Sequence, residues 1–159
     1  MRTRIKICGL TREADVAAAV GAGADAIGLV LYAESPRHIS LERAAALARG
    51  LDLLDCALRF PNAQALLLDA AVDGYGGGGK VFDWSLIPRD LPADVRSRLV
   101  LSGGLNPANV IDGILHARPY AVDVSSGVES ERGIKDAALM RRFCGLVREA
   151  DARVADLAT

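Results

Sequence analysis

The sequence predicts an α/β domain on a parallel sheet, and three observations predict it. Five short apolar runs punctuate the 159 residues. Most are followed by a longer stretch with apolar residues at helical spacing, the alternation that βαβ units produce. The runs are also near-continuously apolar, as strands covered on both faces are.

Arg4 to Leu10 (RIKICGL) is the first predicted strand. Thr11 is placed to cap a helix over Arg12 to Val20, which Gly21 and Gly23 stop. Ala26 to Tyr32 (AIGLVLY) is the second strand, and Ser35-Pro36-Arg37-His38 a loop. Ser40 caps the next helix, with Arg43 where a capping box would want Glu. That helix is expected from Leu41 through Leu51 to Phe60, ended by Pro61-Asn62. Ala65 to Asp69 is the third strand, Gly74 to Gly79 a glycine-rich loop, and Phe82 to Ile87 a helical turn. Leu99 to Ser102 is the fourth strand, followed by Gly103-Gly104. Asn106-Pro107 opens a helix to about His116, with Pro just inside its start. Tyr120 to Val124 is the fifth strand, followed by Ser125-Ser126-Gly127. Lys135 to Ala155 is a closing helix.

Size and composition set the class. A chain this long makes one domain, spanning 1–159, with a core of its own. Half of it is hydrophobic (51%) but only 4% is aromatic, so Ala, Val, Leu and Ile must build that core. A formal net charge of −1 lacks the basic excess that a nucleic-acid surface needs. Three widely spaced cysteines, Cys8, Cys56 and Cys144, include no C-x-x-C pair and point to a reducing compartment. The charged start has no long apolar run behind it, so no signal peptide is expected. The longest apolar stretch is too short to span a membrane. A soluble cytoplasmic protein is expected.

Ligands of parallel α/β sheets gather at the carboxyl ends of the strands. The first strand offers Lys6 and Cys8 there, the second leads to Arg37, and the third ends in Asp69. The fourth gives Gly103-Gly104 and the fifth Ser125-Ser126-Gly127. Glycine turns with free backbone N–H groups, ahead of helix N-termini, suit a phosphate. Each residue also has a plain structural reading. Cys8 reads as a small core residue, Asp69 as a turn cap, and Arg37 as a solvated loop residue. The glycines at Gly76 to Gly79 with Lys80 lack P-loop spacing. His38 and His116 have no partners at metal-ligand spacing. Cys56 and Cys144 read as packing residues.

The motifs resemble one family. Lys6-Ile7-Cys8-Gly9-Leu10-Thr11 is similar to the opening strand of phosphoribosylanthranilate isomerase. Gly23 to Gly28 resembles its second strand, and Ser35-Pro36-Arg37 the loop after it. Leu66-Leu67-Leu68-Asp69 resembles its sixth strand, and Tyr75 to Trp84 the loop that follows. Leu101-Ser102-Gly103-Gly104-Leu105-Asn106-Pro107 resembles its seventh, and Ala121 to Glu129 its eighth. Gly133-Ile134-Lys135-Asp136 continues the match. The family has an eight-stranded TIM (β/α)-barrel, and this chain has five recognisable parallel strands. The resemblance therefore implies a shortened, partly open barrel, with an internal deletion near 50/51 that removes about three βα units. If retained strands keep their family neighbours, the sheet order is second, first, fifth, fourth, third. The flanking strands would lie on the order of 15 Å apart. A fused helix from Leu41 to Phe60, about 30 Å long, would span that gap. An open edge and inner face predict poor solubility or association between copies of the chain.

The resemblance further implies an Amadori isomerase of tryptophan biosynthesis acting on N-(5'-phosphoribosyl)anthranilate, a small phosphorylated substrate. Asp69 is implied as the general acid, if an apolar strand end raises its pKa. Cys8 is implied as the general base, if Lys6 or another cation favours its thiolate. Arg37 would hold the anthranilate carboxylate. Backbone around Gly103, Gly104, Ser126 and Gly127 would hold the phosphate. No metal or organic cofactor is expected, and no nucleic-acid or membrane partner. The rival reading is an impaired relic that binds phosphorylated ligands, or that assembles with another chain.

Overall fold

Five parallel strands form one sheet in the computed structural model, which describes residues 2–30, 33–40, 43, 66–68, 87, 97 and 99–157. They are β1 (Arg4–Cys8), β2 (Ala26–Gly28), β3 (Leu66–Leu68), β4 (Leu99–Leu101) and β5 (Ala121–Val124). Their order is β2-β1-β5-β4-β3, the order expected from the retained strands. Among the described residues the sheet is accompanied by α1 (Glu13–Ala22), α2 (Val110–Ala117) and α3 (Ala137–Asp156). Between β5 and α3 come a 3₁₀ turn at Ser126–Val128 and a short antiparallel hairpin of β6 (Glu129–Glu131) and β7 (Ile134–Lys135).

Strand side chains alternate between two faces, and the two faces here differ in chemistry. Ile5 and Ile7 of β1, Leu99 and Leu101 of β4, and Val122 and Val124 of β5 all join one buried apolar core. Val16 and Ala19 of α1, Ile114 of α2, and Met140, Phe143 and Val147 of α3 complete it. With few aromatics available, Phe143 is, among the described residues, the largest side chain wholly withdrawn from solvent. Its loss to Ala would cost about 3–5 kcal/mol. On the other face, Lys6 lies in register with Ala26 of β2 and Asp123 of β5. That face carries charge.

α3 packs on both α1 and α2. The Thr3 backbone N–H and hydroxyl donate to Asp151 of α3 at 2.8 and 2.6 Å, tying this helix to the start of β1. Asp25 accepts the Ile5 N–H at 2.9 Å and pairs with Arg2, fastening the turn before β2 to the neighbouring strand.

Several boundaries differ from expectation for local reasons. Thr11 does not cap α1. Its hydroxyl donates to the Gly133 carbonyl at 3.2 Å, and the helix begins at Glu13. Gly21 lies inside α1, and Gly23, at φ 90°, is the residue that ends it. β2 is only three residues long, and the chain touches the sheet region again where Val30 bridges His38. Pro107 is not inside α2. The Asn106 side chain accepts from Ala108 N–H, and that of Asn109 from Asn106 N–H, each at 2.8 Å. Together they build a turn that delays the helix to Val110. Lys135 belongs to β7, and α3 starts after Asp136, whose carboxylate caps it by accepting from Leu139 N–H at 2.8 Å. Ser40 does act as a cap, its hydroxyl accepting from Arg43 N–H at 3.2 Å. The rest of the long helix expected from Leu41 to Phe60 lies outside the described residues, as do Cys56, Asp69, the Gly74 to Gly79 loop and most of Phe82 to Ile87.

Candidate active site

The carboxyl ends of β1, β4 and β5 meet the loop after β2 in one polar cluster. Cys8 is the last residue of β1, half-buried and on the same face as Lys6. Room for its thiol comes from Gly28, its partner across β2. A Cβ on Gly28 would stand 2.5 Å from Cys8 Sγ. The Ser125 hydroxyl, just beyond β5, donates to the Cys8 carbonyl at 3.1 Å, so the two strand ends are tied together.

Below Cys8, Lys6 Nζ donates to Asp123 Oδ2 at 2.7 Å across the β1–β5 pairing. Burial works against the Lys6 ammonium, but the charge and hydrogen bond of Asp123, with a smaller contribution from Cys8, outweigh it and raise its pKa. Asp123 is a charged residue inside an otherwise apolar run, a signal the sequence reading did not use.

Arg37 is not a solvated loop residue. It is 4% exposed, and its Nε and Nη2 donate to the two carboxylate oxygens of Glu129 at 2.7 and 2.9 Å. This is a side-on bidentate pair. The arginine stem lies across Gly9, which has φ 74° and whose absent Cβ leaves the space for it. Glu129 also accepts from Lys135 Nζ at 2.7 Å and from Gly133 N–H at 3.2 Å. Lys135, 3% exposed, donates in addition to the Ser125 carbonyl at 3.0 Å.

Burial alone would raise the Glu129 pKa, yet hydrogen bonds from Arg37 and Lys135 bring it down to about 2. Burial lowers that of Lys135, partly offset by Glu129. Among the described residues, Arg37 and Lys135 thus share one buried carboxylate, and these three groups together carry a net positive charge. Glu129 and Lys135 were not singled out as site residues, although both stand in the stretches that carry the family resemblance.

The glycine turns sit beside this cluster. Gly103 and Gly104 follow β4 with φ of 83° and 71°, a left-handed pair that side chains other than glycine rarely adopt. Among the described residues their N–H groups make no hydrogen bond. The Gly104 carbonyl accepts from the side-chain amides of Asn106 and Asn109 at 3.2 and 3.1 Å, which fixes the turn ahead of α2. The 3₁₀ turn lies directly against it. A Cβ on Gly127 would come 2.9 Å from Asn106 Cα, and nearer still to the Leu105 carbonyl oxygen. Cys8, Arg37, Gly103, Gly104, Ser126 and Gly127 are therefore all on one rim. Asp69 follows Leu68, the last residue of β3, and lies outside the described residues. Among the described residues no group of His, Cys, Asp and Glu could hold a metal ion.

The family model described as N-(5'phosphoribosyl)anthranilate (PRA) isomerase matches residues 47–145. The N-(5'-phosphoribosyl)anthranilate isomerase of Leptothrix cholodnii is 51% identical, over 98% of this chain and 95% of its own. That match extends over 213 positions and this chain has 159, so at least 54 positions of the relative have no counterpart here. Among solved structures, phosphoribosyl anthranilate isomerase from Thermotoga maritima superimposes with a TM-score of 0.74 at 33% identity, covering 92% of this chain and 99% of that one. A phosphoribosyl anthranilate isomerase in complex with reduced 1-(o-carboxyphenylamino)-1-deoxyribulose 5-phosphate gives a TM-score of 0.67 at 32% identity, with the same coverage.

Proposed function

The chain belongs to the N-(5'-phosphoribosyl)anthranilate isomerase family, and we propose that it carries out this family's Amadori rearrangement with Cys8 as base and Asp69 as acid. It is an isomerase of tryptophan biosynthesis on a shortened (β/α)-barrel. Identity of 51% along 98% of the chain supports this activity over the relic reading.

The reaction needs two proton transfers. Asp69 protonates the ribose ring oxygen as its bond to C1 breaks, and the anthranilate nitrogen forms a Schiff base with C1. The Cys8 thiolate then removes the C2 proton. Those electrons move toward the nitrogen and give an enolamine, which becomes the ketone. Lys6 and Lys135 both stand close enough to Cys8 to interact with it electrostatically.

Arg37 holds the anthranilate carboxylate. Glu129 occupies its side-on edge, so the substrate takes the end-on edge, where Nη1 makes no hydrogen bond among the described residues. Backbone around Gly103, Gly104, Ser126 and Gly127 holds the phosphate. The observation that carries this reading is the convergence of the Cys8 strand end, Arg37 and both glycine turns on one rim. The enzyme works in the cytoplasm, and copies associate to cover the open side of the sheet. No helix among the described residues is long and apolar enough to cross a membrane.

The test is turnover, followed by loss of substrate fluorescence, with Cys8→Ala and Asp69→Asn as controls. Turnover abolished by both substitutions supports the assignment. Turnover that survives either one removes that residue from its role. Size-exclusion chromatography showing a monomer throughout would remove the association.

A further inference from the structure

We infer that Glu129, braced by Lys135, is a positioning residue that sets the Arg37 guanidinium as a carboxylate receptor in register with Cys8. This rests on the proposed role of Arg37.

The geometry makes the case. A guanidinium on a flexible stem would otherwise sample many rotamers at an entropic cost on binding. Here both oxygens of Glu129 hold its side-on edge at 2.7 and 2.9 Å, in a site shielded from water. Lys135 fixes Glu129 in turn at 2.7 Å and grips the Ser125 carbonyl at 3.0 Å. Ser125 donates to the Cys8 carbonyl at 3.1 Å. One continuous chain of hydrogen bonds thus runs from the arginine through Glu129, Lys135 and Ser125 to the strand end that carries the thiol. The arginine stem meanwhile rests on Gly9, next to Cys8 in the chain.

Charge gives the second argument. Among the described residues, Arg37 and Lys135 face one carboxylate, Glu129, which leaves these three groups one positive charge in excess. Burying charge is costly unless it is matched. An incoming substrate carboxylate would match it. The hairpin is the device that brings this about. β6 and β7 deliver Glu129 and Lys135 to the rim, and Gly133, at φ 86°, lets the tip approach the Pro36 carbonyl.

Binding of two probes separates positioning from general damage. Reduced 1-(o-carboxyphenylamino)-1-deoxyribulose 5-phosphate has an aromatic carboxylate and a phosphate, and inorganic phosphate has only the latter. Glu129→Gln is expected to weaken the first probe about tenfold or more while changing phosphate affinity less than about twofold. In an Arg37→Lys background the same substitution is expected to add less than about twofold, because its effect passes through the guanidinium. Should Glu129→Gln fail to fold, the charge-compensated Glu129→Gln/Lys135→Met variant replaces it with the same expectations. Equal loss of both probes, or effects of Glu129 and Arg37 that multiply, would overturn the inference. If Arg37→Lys alone leaves the first probe's affinity unchanged, the carboxylate role of Arg37 falls, and the inference with it.

Discussion

Replacing Gly127 with Ala tests whether the two glycine turns work as one unit. The new Cβ would stand 2.9 Å from both Cα and Cβ of Asn106, with the Leu105 carbonyl closer still. Comfortable carbon–carbon separation is about 3.5–4.0 Å, so relieving the Asn106 contacts alone needs a parting of roughly 0.6–1.1 Å, and the closer Leu105 carbonyl oxygen needs more. The obstructing atoms are largely backbone and cannot rotate away. Overpacking of this kind costs about 1–3 kcal/mol. The displacement also spreads, because Asn106 holds the Gly104 carbonyl at 3.2 Å. A shift of about 1 Å in a positioning element costs up to about 100-fold in rate. The expected outcome is an unfolding free energy, from urea titration, lowered by about 1–3 kcal/mol, with inorganic phosphate bound at least about tenfold more weakly. Stability within about 0.5 kcal/mol of the parent together with unchanged phosphate affinity would refute the coupling of the turns.

The remaining expectations use other parts of the molecule. Gly145→Ala, inside α3 with nothing within 4 Å of its new Cβ, should stabilise the protein by about 0.5–1 kcal/mol, read from the same urea titration. Gly28→Ala should push the Cys8 thiol aside, since Sγ lies 2.5 Å from the added carbon, and lower kcat more than it raises KM in steady-state kinetics. Asp151→Ala should cost about 1–3 kcal/mol without altering KM, because it removes both acceptors of Thr3 far from the rim. Glu129 titrates at about 2 in the folded protein, below the ordinary 4.5, so its contribution to stability is complete above about pH 4.5 and is lost as pH falls toward 2. Urea midpoints measured across that range should fall more steeply for the parent than for Glu129→Gln.

Much of this arrangement was legible in the sequence where local signals and global fold agree. The apolar strands follow from runs that no surface element would contain, and the sheet order follows from the family resemblance, with retained strands keeping their family neighbours. Cys8, Arg37 and the glycine turns stand out because strand ends are where small and charged residues break such runs. Boundaries were lost where tertiary partners took over a local signal. Thr11 has the side chain of a cap, but its hydroxyl is spent on Gly133. Pro107 has the look of a first helical residue, but the Asn106 and Asn109 side chains close a turn around it. The β6–β7 hairpin left no trace because ESE and IK are too short and too polar to show a period of two. Glu129 and Lys135 were correspondingly unreadable. A charge in a polar stretch is ordinarily a solvated one, and only the folded chain places these two out of water.

The strand order has a consequence for biogenesis. β1 leaves the ribosome well before its central neighbour β5, with Arg4 paired to Ala121. At about 5–20 residues per second, the intervening stretch takes on the order of ten seconds to synthesise. Throughout that time only β2 is available on one side of β1, and α1 lacks α3, the helix that covers it. The nascent chain therefore gains little by folding piecemeal. Its contacts are long in sequence, which slows folding and makes it a single late event. Chains stalled before Ala121 should remain sensitive to protease, and protection should arrive abruptly once α3 has emerged.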